Sequence, residues 1–141
     1  MKKIIYLLAT GLGTGNLKPA PGTWGSLLAL IITYFLPSNL LSIVITAILG
    51  IYICQKAEEY LGEHDSPRIV WDEMVGIWIA AYHVSGVYLI YAFILFRIFD
   101  ISKIYPIDKL QRLPGGLGIM MDDIVAGIFA RIVLSLIMFV I

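Results

Sequence analysis

Two long stretches of this chain carry no Asp, Glu, Lys or Arg, one from Pro19 to Gln55 and the other from Met74 to Phe96. A third apolar run, Ile124 to Ile141, holds a single charge, Arg131. Few soluble folds can bury so much apolar chain, and about 20 apolar residues suffice to cross a bilayer as a helix. Composition agrees. Hydrophobic residues are 60% of the 141, charged residues only 14%, and the mean hydropathy is +0.90. Soluble domains run at roughly 45–50% apolar and about 25% charged. The expectation is an all-α membrane protein forming one domain over 1–141. Formal net charge is zero, so nothing suggests nucleic acid as a partner. The one cysteine, Cys54, has no internal partner and reads as a small buried hydrophobe. "MKKIIYLLAT" is faintly like a signal peptide, but no small-residue cleavage site follows, so it is kept in the mature chain.

Pro37-Ser38-Asn39 divides the first uncharged stretch. It predicts a short helix from about Gly25 to Leu36 and a longer one from Asn39 to about Leu61, with Gly62 as its C-terminal cap. Met74–Phe96 is either one span or a hairpin broken at "HVSG", His83 to Gly86. The basic residues favour the hairpin. Lys2, Lys3, Lys18, Lys56, Arg68, Arg97, Lys103, Lys109 and Arg112 all lie outside the apolar runs. If both stretches are hairpins, all nine fall on one side, which is then cytoplasmic. The reading is a compact polytopic bundle of short helical hairpins with its motif loops on that side. A helix of 12 residues reaches about 18 Å, less than the roughly 30 Å hydrocarbon core. Some helices therefore penetrate only partly, and their turns need cover from protein.

The acids are placed unusually. Asp72 and Glu73 enter one helix, Asp100 leaves the next, and Asp122 and Asp123 enter the last. Each pair alone reads as a helix cap complementing the dipole. Capping explains neither the doubling nor Asp100 near a C-terminus. Five carboxylates at one membrane surface would repel strongly unless a cation neutralised them, and hard oxygen ligands suit Mg²⁺ or a similar ion. All five are candidate metal ligands.

Arg97, Asp100 and Lys103 are spaced by three, along one helix face. They form either a salt-bridge ladder or a phosphate grip with an acid beside it. "GLGTGNLKPAPGTWGS", Gly11 to Ser26, is a Gly- and Pro-rich approach to a helix. Thr23 is its expected N-cap, and the free N–H groups there could hold an anion. Thr23, Ser26, Arg97 and Lys103 are the candidate substrate-binding residues. The segment is not a P-loop, because no Gly-Lys-Ser/Thr ending is present. "RLPGGLGIMMDD" reads as a second Gly-rich turn, Gly115 to Gly118, ahead of the Asp122–Asp123 helix. His64 and Asp65 lie in the loop before Asp72, where His64 reads as a surface histidine. Arg131 must snorkel or face a polar interior. Trp24, Trp71 and Trp78 read as membrane-interface anchors.

Together "APGTWGSL", "HDSPRIVWDEMVG", "FRIFDISKIYPI" and "GGLGIMMDDIVAG" resemble the phosphatidylglycerophosphatase A family, in order, from Gly11 to Gly127. The resemblance implies a Mg²⁺-dependent phosphatase of the bacterial cytoplasmic membrane, multi-pass, with its active site facing the cytoplasm. It would convert phosphatidylglycerophosphate to phosphatidylglycerol, with membrane lipid around it. By resemblance, Asp72, Glu73, Asp100, Lys103, Asp122 and Asp123 are the functional residues, of which Asp72, Asp100, Lys103 and Asp123 are the candidate catalytic ones. Lys18 stands where relatives often have proline, and Asp108 to Pro114 departs from the family pattern. The family includes soluble relatives; the hydrophobicity here argues for the membrane branch. Attack by water and a covalent aspartyl-phosphate both remain open. The rival readings are a small channel or transporter subunit with an acidic cation site, and a non-catalytic scaffold. Oligomeric state is not legible.

Overall fold

The computed structural model describes residues 2–12, 21–36, 39–62, 69–84, 86–102, 107–110 and 115–140. Everything regular among them is helical. The elements are α1 Lys2–Ala9, α2 Pro21–Phe35, α3 Leu40–Leu61, α4 Trp71–Ala80, α5 Tyr88–Ser102, α6 Ile107–Leu110 and α7 Gly115–Val140.

Local chemistry sets most of these bounds. Asn39 caps α3: its side-chain oxygen accepts from the Ser42 N–H at 2.8 Å, and its own N–H donates to Ser42 Oγ at 3.0 Å. This reciprocal pair satisfies two of the free donors at the helix start. Gly62 ends α3 with φ 76°, its N–H donating to Glu58 O, as a left-handed cap position requires. The second uncharged stretch is two helices, not one. α4 stops at Ala80, and the chain turns through left-handed His83 and Gly86 before α5 starts at Tyr88.

Three expectations need correction. α2 begins at Pro21, four residues earlier than read from sequence, so Thr23 lies inside the first turn and is not the N-cap. Proline suits a first helical position, where its missing N–H costs nothing. α7 begins at Gly115, so Gly115–Gly118 is the start of the helix, not a turn before it. Trp71 and Trp78 sit between helices: their indole N–H groups donate to Thr46 O at 3.1 Å and Ala29 O at 3.3 Å. Only Trp24 is exposed.

α7 is the centre of the packing, touching α3, α4, α5 and α6, while α4 lies among α2, α3 and α7. α4 and α7 run parallel, since Gly76 meets Gly127 and Tyr82 meets Arg131 in the same sense. α3 and α5 run the other way: Gln55 Oε1 of α3 accepts from the Gly116 N–H at the start of α7. Phe96, Ile77, Ala126 and Ala130 fill one part of the core, and Cys54, Val75, Ile119 and Met120 another. Cys54 is fully buried, as the sequence suggested.

α4 and α7 approach each other closely. A Cβ placed on Gly127 would lie 2.5 Å from Gly76 O, and one on Gly76 would strike the Phe96 ring and lie 3.0 Å from Asp123 O. The two backbones touch with no side chain between them, the geometry that small residues permit in apolar helix pairs. Gly127→Ala is therefore expected to destabilise the protein by about 1–3 kcal/mol through overpacking. Leu136→Ala, on the exposed side of the same helix, should change little. Thermal unfolding of both variants in detergent micelles checks the contrast.

Candidate metal centre and active site

The Gly76–Gly127 contact fixes what stands one turn before it. Asp72 precedes Gly76 by four residues, and Asp123 precedes Gly127 by four. On a helix that spacing returns to the same face, with each side chain leaning toward the helix N-terminus. Parallel helices in contact at the glycines must therefore bring the two carboxyl groups together.

They are together. Asp72, Asp122 and Asp123 each offer a carboxylate oxygen, and these atoms lie within 4.8 Å of one another. All three residues are buried, at 4%, 3% and 2% exposure. The charges of Asp72, Asp100 and Asp122 all bear on the Asp123 carboxylate. Two like charges at that separation repel by about 3 kcal/mol even at an effective dielectric of ~20. Asp123 Oδ1 is buried and meets no hydrogen-bond partner among the described residues. Hard oxygen donors, buried and convergent, fit a divalent cation.

The other expected residues divide. Asp100 is buried near the C-terminus of α5 and accepts from Arg97 Nη1 at 2.9 Å. The same Nη1 stands 3.8 Å from Glu73 Oε2. Glu73 therefore faces a cation of α5 and is not one of the three close carboxylates. Arg97 and Asp100 form the expected one-face pair; Lys103 lies outside the described residues. Ser26 is fully buried on α2, and its Oγ meets no hydrogen-bond partner among the described residues. The neighbouring Gly25 packs against Val70, two residues before Asp72, so α2 abuts the entrance of α4. Nothing is described of the Thr23 side chain.

One expectation about placement is corrected. Asp122 and Asp123 do not open α7; they lie about two turns inside it. Asp72 is in the first turn of α4, but the cap residue is Val70, which makes no side-chain cap. Capping therefore does not account for the acids of α7. The two glycines were not singled out from the sequence, although "DEMVG" and "DIVAG" repeat one Asp-x-x-x-Gly spacing that carries the signal.

Comparison with known proteins now bears on this geometry. The family model described as Phosphatidylglycerophosphatase A matches residues 7–138. The chain belongs to the phosphatidylglycerophosphatase A family. It is 46% identical to the phosphatidylglycerophosphatase A of Haemophilus influenzae, over 92% of this chain and 85% of that protein. It is 40% identical to the phosphatidylglycerophosphatase A of Escherichia coli K12, over 89% and 78%. A Bacteroides thetaiotaomicron protein, named as a candidate phosphatidylinositol-3-phosphatase, is 42% identical over 92% and 90%. No solved structure matches. The matched range of the phosphatidylglycerophosphatase A family contains Asp72, Asp100, Asp122 and Asp123 together with both contact glycines.

A cluster that repels itself is a stability cost until a cation arrives. In EDTA, Asp123→Asn is expected to unfold at a higher temperature than the unaltered protein. Added divalent cation should then raise its unfolding temperature less than it raises that of the unaltered protein. Equal shifts in the two proteins would remove the cluster from cation binding.

Proposed function

We propose that this chain hydrolyses the terminal phosphomonoester of phosphatidylglycerophosphate, releasing inorganic phosphate and leaving phosphatidylglycerol in the membrane. The observation that carries the reading is the convergence of Asp72, Asp122 and Asp123 in a chain of this family. Asp72, Asp122 and Asp123 would hold Mg²⁺, with Asp100 beside them. When bound, the cation would neutralise charge on the phosphoryl oxygens and favour ionisation of a water.

The chain's own side chains supply the rest. Arg97 is held by Asp100 and Glu73, so a guanidinium is fixed beside the acids before substrate arrives. It binds phosphate oxygens by charge-assisted hydrogen bonds. Lys103, three residues after Asp100 in the sequence, is assigned a second such contact, and Thr23 and Ser26 contacts to the headgroup. The oxygen of a water bonds to phosphorus as a cluster carboxylate takes its proton, and the bond from phosphorus to the glycerol oxygen breaks. The leaving alkoxide is protonated to the free hydroxyl of phosphatidylglycerol.

The setting is a bacterial cytoplasmic membrane, with the active site facing the cytoplasm. Two helices, α3 and α7, are long and apolar enough to cross a bilayer, and the basic residues favour one side. The channel reading is weaker. Directly below the cluster α4 and α7 touch backbone to backbone, which leaves no aqueous path between them.

Exhaustive EDTA treatment is expected to abolish phosphate release, and Mg²⁺ to restore it. Asp72→Asn, Asp100→Asn and Asp123→Asn should each lose at least 100-fold in turnover while remaining folded. Near-normal rates would return the acids to a structural role. For the bond cleaved, thin-layer analysis of the lipid product should show phosphatidylglycerol and no diacylglycerol. Phosphatidic acid should be a poorer substrate in mixed micelles, its phosphate lying one spacer closer to the membrane. The Bacteroides relative motivates phosphatidylinositol 3-phosphate as a third substrate in the same assay; a clear preference for it would reassign the headgroup.

A further inference from the structure

We infer that the helical hairpins of this bundle end inside the lipid, not in the far aqueous phase. The bundle is seated among the acyl chains of one leaflet, and only the end of α7 continues across. The inference rests on the membrane residence proposed above and deepens it.

Helix lengths come first. α4 has 10 residues, about 15 Å. From Tyr88 to Asp100, α5 rises about 18 Å. The hydrocarbon core is roughly 30 Å thick. With the carboxylates at the headgroup plane, both helices stop near the bilayer centre. α3 starts at the same depth, because Leu40 and Ile43 line one groove with Tyr82 and Arg131. α7 differs: from Asp123 to Val140 it runs about 26 Å, most of the way through the core and far past the ends of the other helices.

The surface of these ends is the second observation. Phe35, Leu36, Leu40 and Leu41 are 71%, 73%, 62% and 69% exposed, and Val87 and Ile90 are more than half exposed. Turns that emerge in water carry polar side chains; these present an apolar surface on both hairpins. Of the polar residues described there, His83 packs edge-on against the Tyr82 ring, and Asn39 is bonded to Ser42.

Backbone accounting is the third. Irregular backbone at membrane depth needs its polar groups satisfied by protein. Here the N–H groups of Leu36, Ala81, Tyr82, Val84, Leu89 and Ile90 all donate to nearby carbonyls. Asn39 and Ser42 close the start of α3 on themselves. Arg131 completes the pattern. Its Nε donates to Tyr82 O at 2.7 Å, and its Nη1 donates to Ser135 Oγ. Its groove neighbours include Ile43, Ile79, Ile128 and Ile132. A charge in such surroundings is expensive, and a carbonyl in water would not need it. At mid-bilayer, Arg131 supplies the donor that water cannot.

The test uses the full chain in proteoliposomes, with single cysteines at Leu36, Val87, Lys109 and Phe139. Native Cys54 is fully buried and sets the background. Leu36→Cys and Val87→Cys are expected to react with a membrane-impermeant maleimide at least ten-fold more slowly than Lys109→Cys, from either side. Nitroxides at those two positions should collide with oxygen but not with a water-soluble nickel chelate. Phe139→Cys should label from the side opposite Lys109. Rapid labelling of Leu36→Cys and Val87→Cys from the side opposite Lys109 would overturn the inference while leaving membrane residence intact. Rapid labelling of all four, with release of the protein by carbonate, would overturn both.

Discussion

Everything distinctive about this protein depends on two helices being allowed to touch. Gly76 and Gly127 remove the side chains that would hold α4 and α7 apart. Interior glycine weakens a helix by about 1 kcal/mol relative to alanine, so the contact must return that through packing. What it returns is also positional. One turn before each glycine stands an aspartate, and parallel helices in register bring both to the same place.

That arrangement sets packing against electrostatics. The apolar contacts of Phe96, Ile77, Ala126 and Ala130 favour the close approach. The charges of Asp72, Asp100 and Asp122 around Asp123 oppose it. Part of the opposition is offset by Arg97, which reaches across from α5 to Glu73 and stands on Asp100. The rest suits the three buried carboxylates to holding a metal ion. α5 contributes from its C-terminal end, where the helix dipole disfavours an acid; the guanidinium one turn earlier makes Asp100 tolerable there.

The features legible in the sequence were those with local causes. The hairpin break at His83–Gly86, the Asn39 start and Gly62 end of α3, the burial of Cys54 and the unusual acids all follow from neighbouring residues. The misreadings were of two kinds. The helices start earlier than the sequence pattern predicts, at Pro21 and Gly115, because Pro- and Gly-rich segments read as loops; Thr23 reads as a cap for the same reason. Tertiary partners were not legible. Nothing local says that Trp71 and Trp78 donate to Thr46 O and Ala29 O, or that Arg131 serves the Tyr82 carbonyl. The motif blocks contain Asp72, Asp122 and Asp123, which the fold brings together. The depth of Asp122 and Asp123 within α7 was missed, because it depends on where that helix begins.

The position of the cluster also links lipid to chemistry. In the proposed reaction, acids buried where short helices meet would let a phosphate enter from the headgroup plane while acyl chains stay in lipid. The account's central claim is that Asp72, Asp122 and Asp123, juxtaposed by the glycine contact, form the cation site. Anomalous diffraction from crystals of the protein grown with Mn²⁺ in place of Mg²⁺ tests it most directly. A strong peak among the three carboxylates is the predicted result. An ordered site with no peak there, or a sole peak on the exposed acid Glu59, would contradict it.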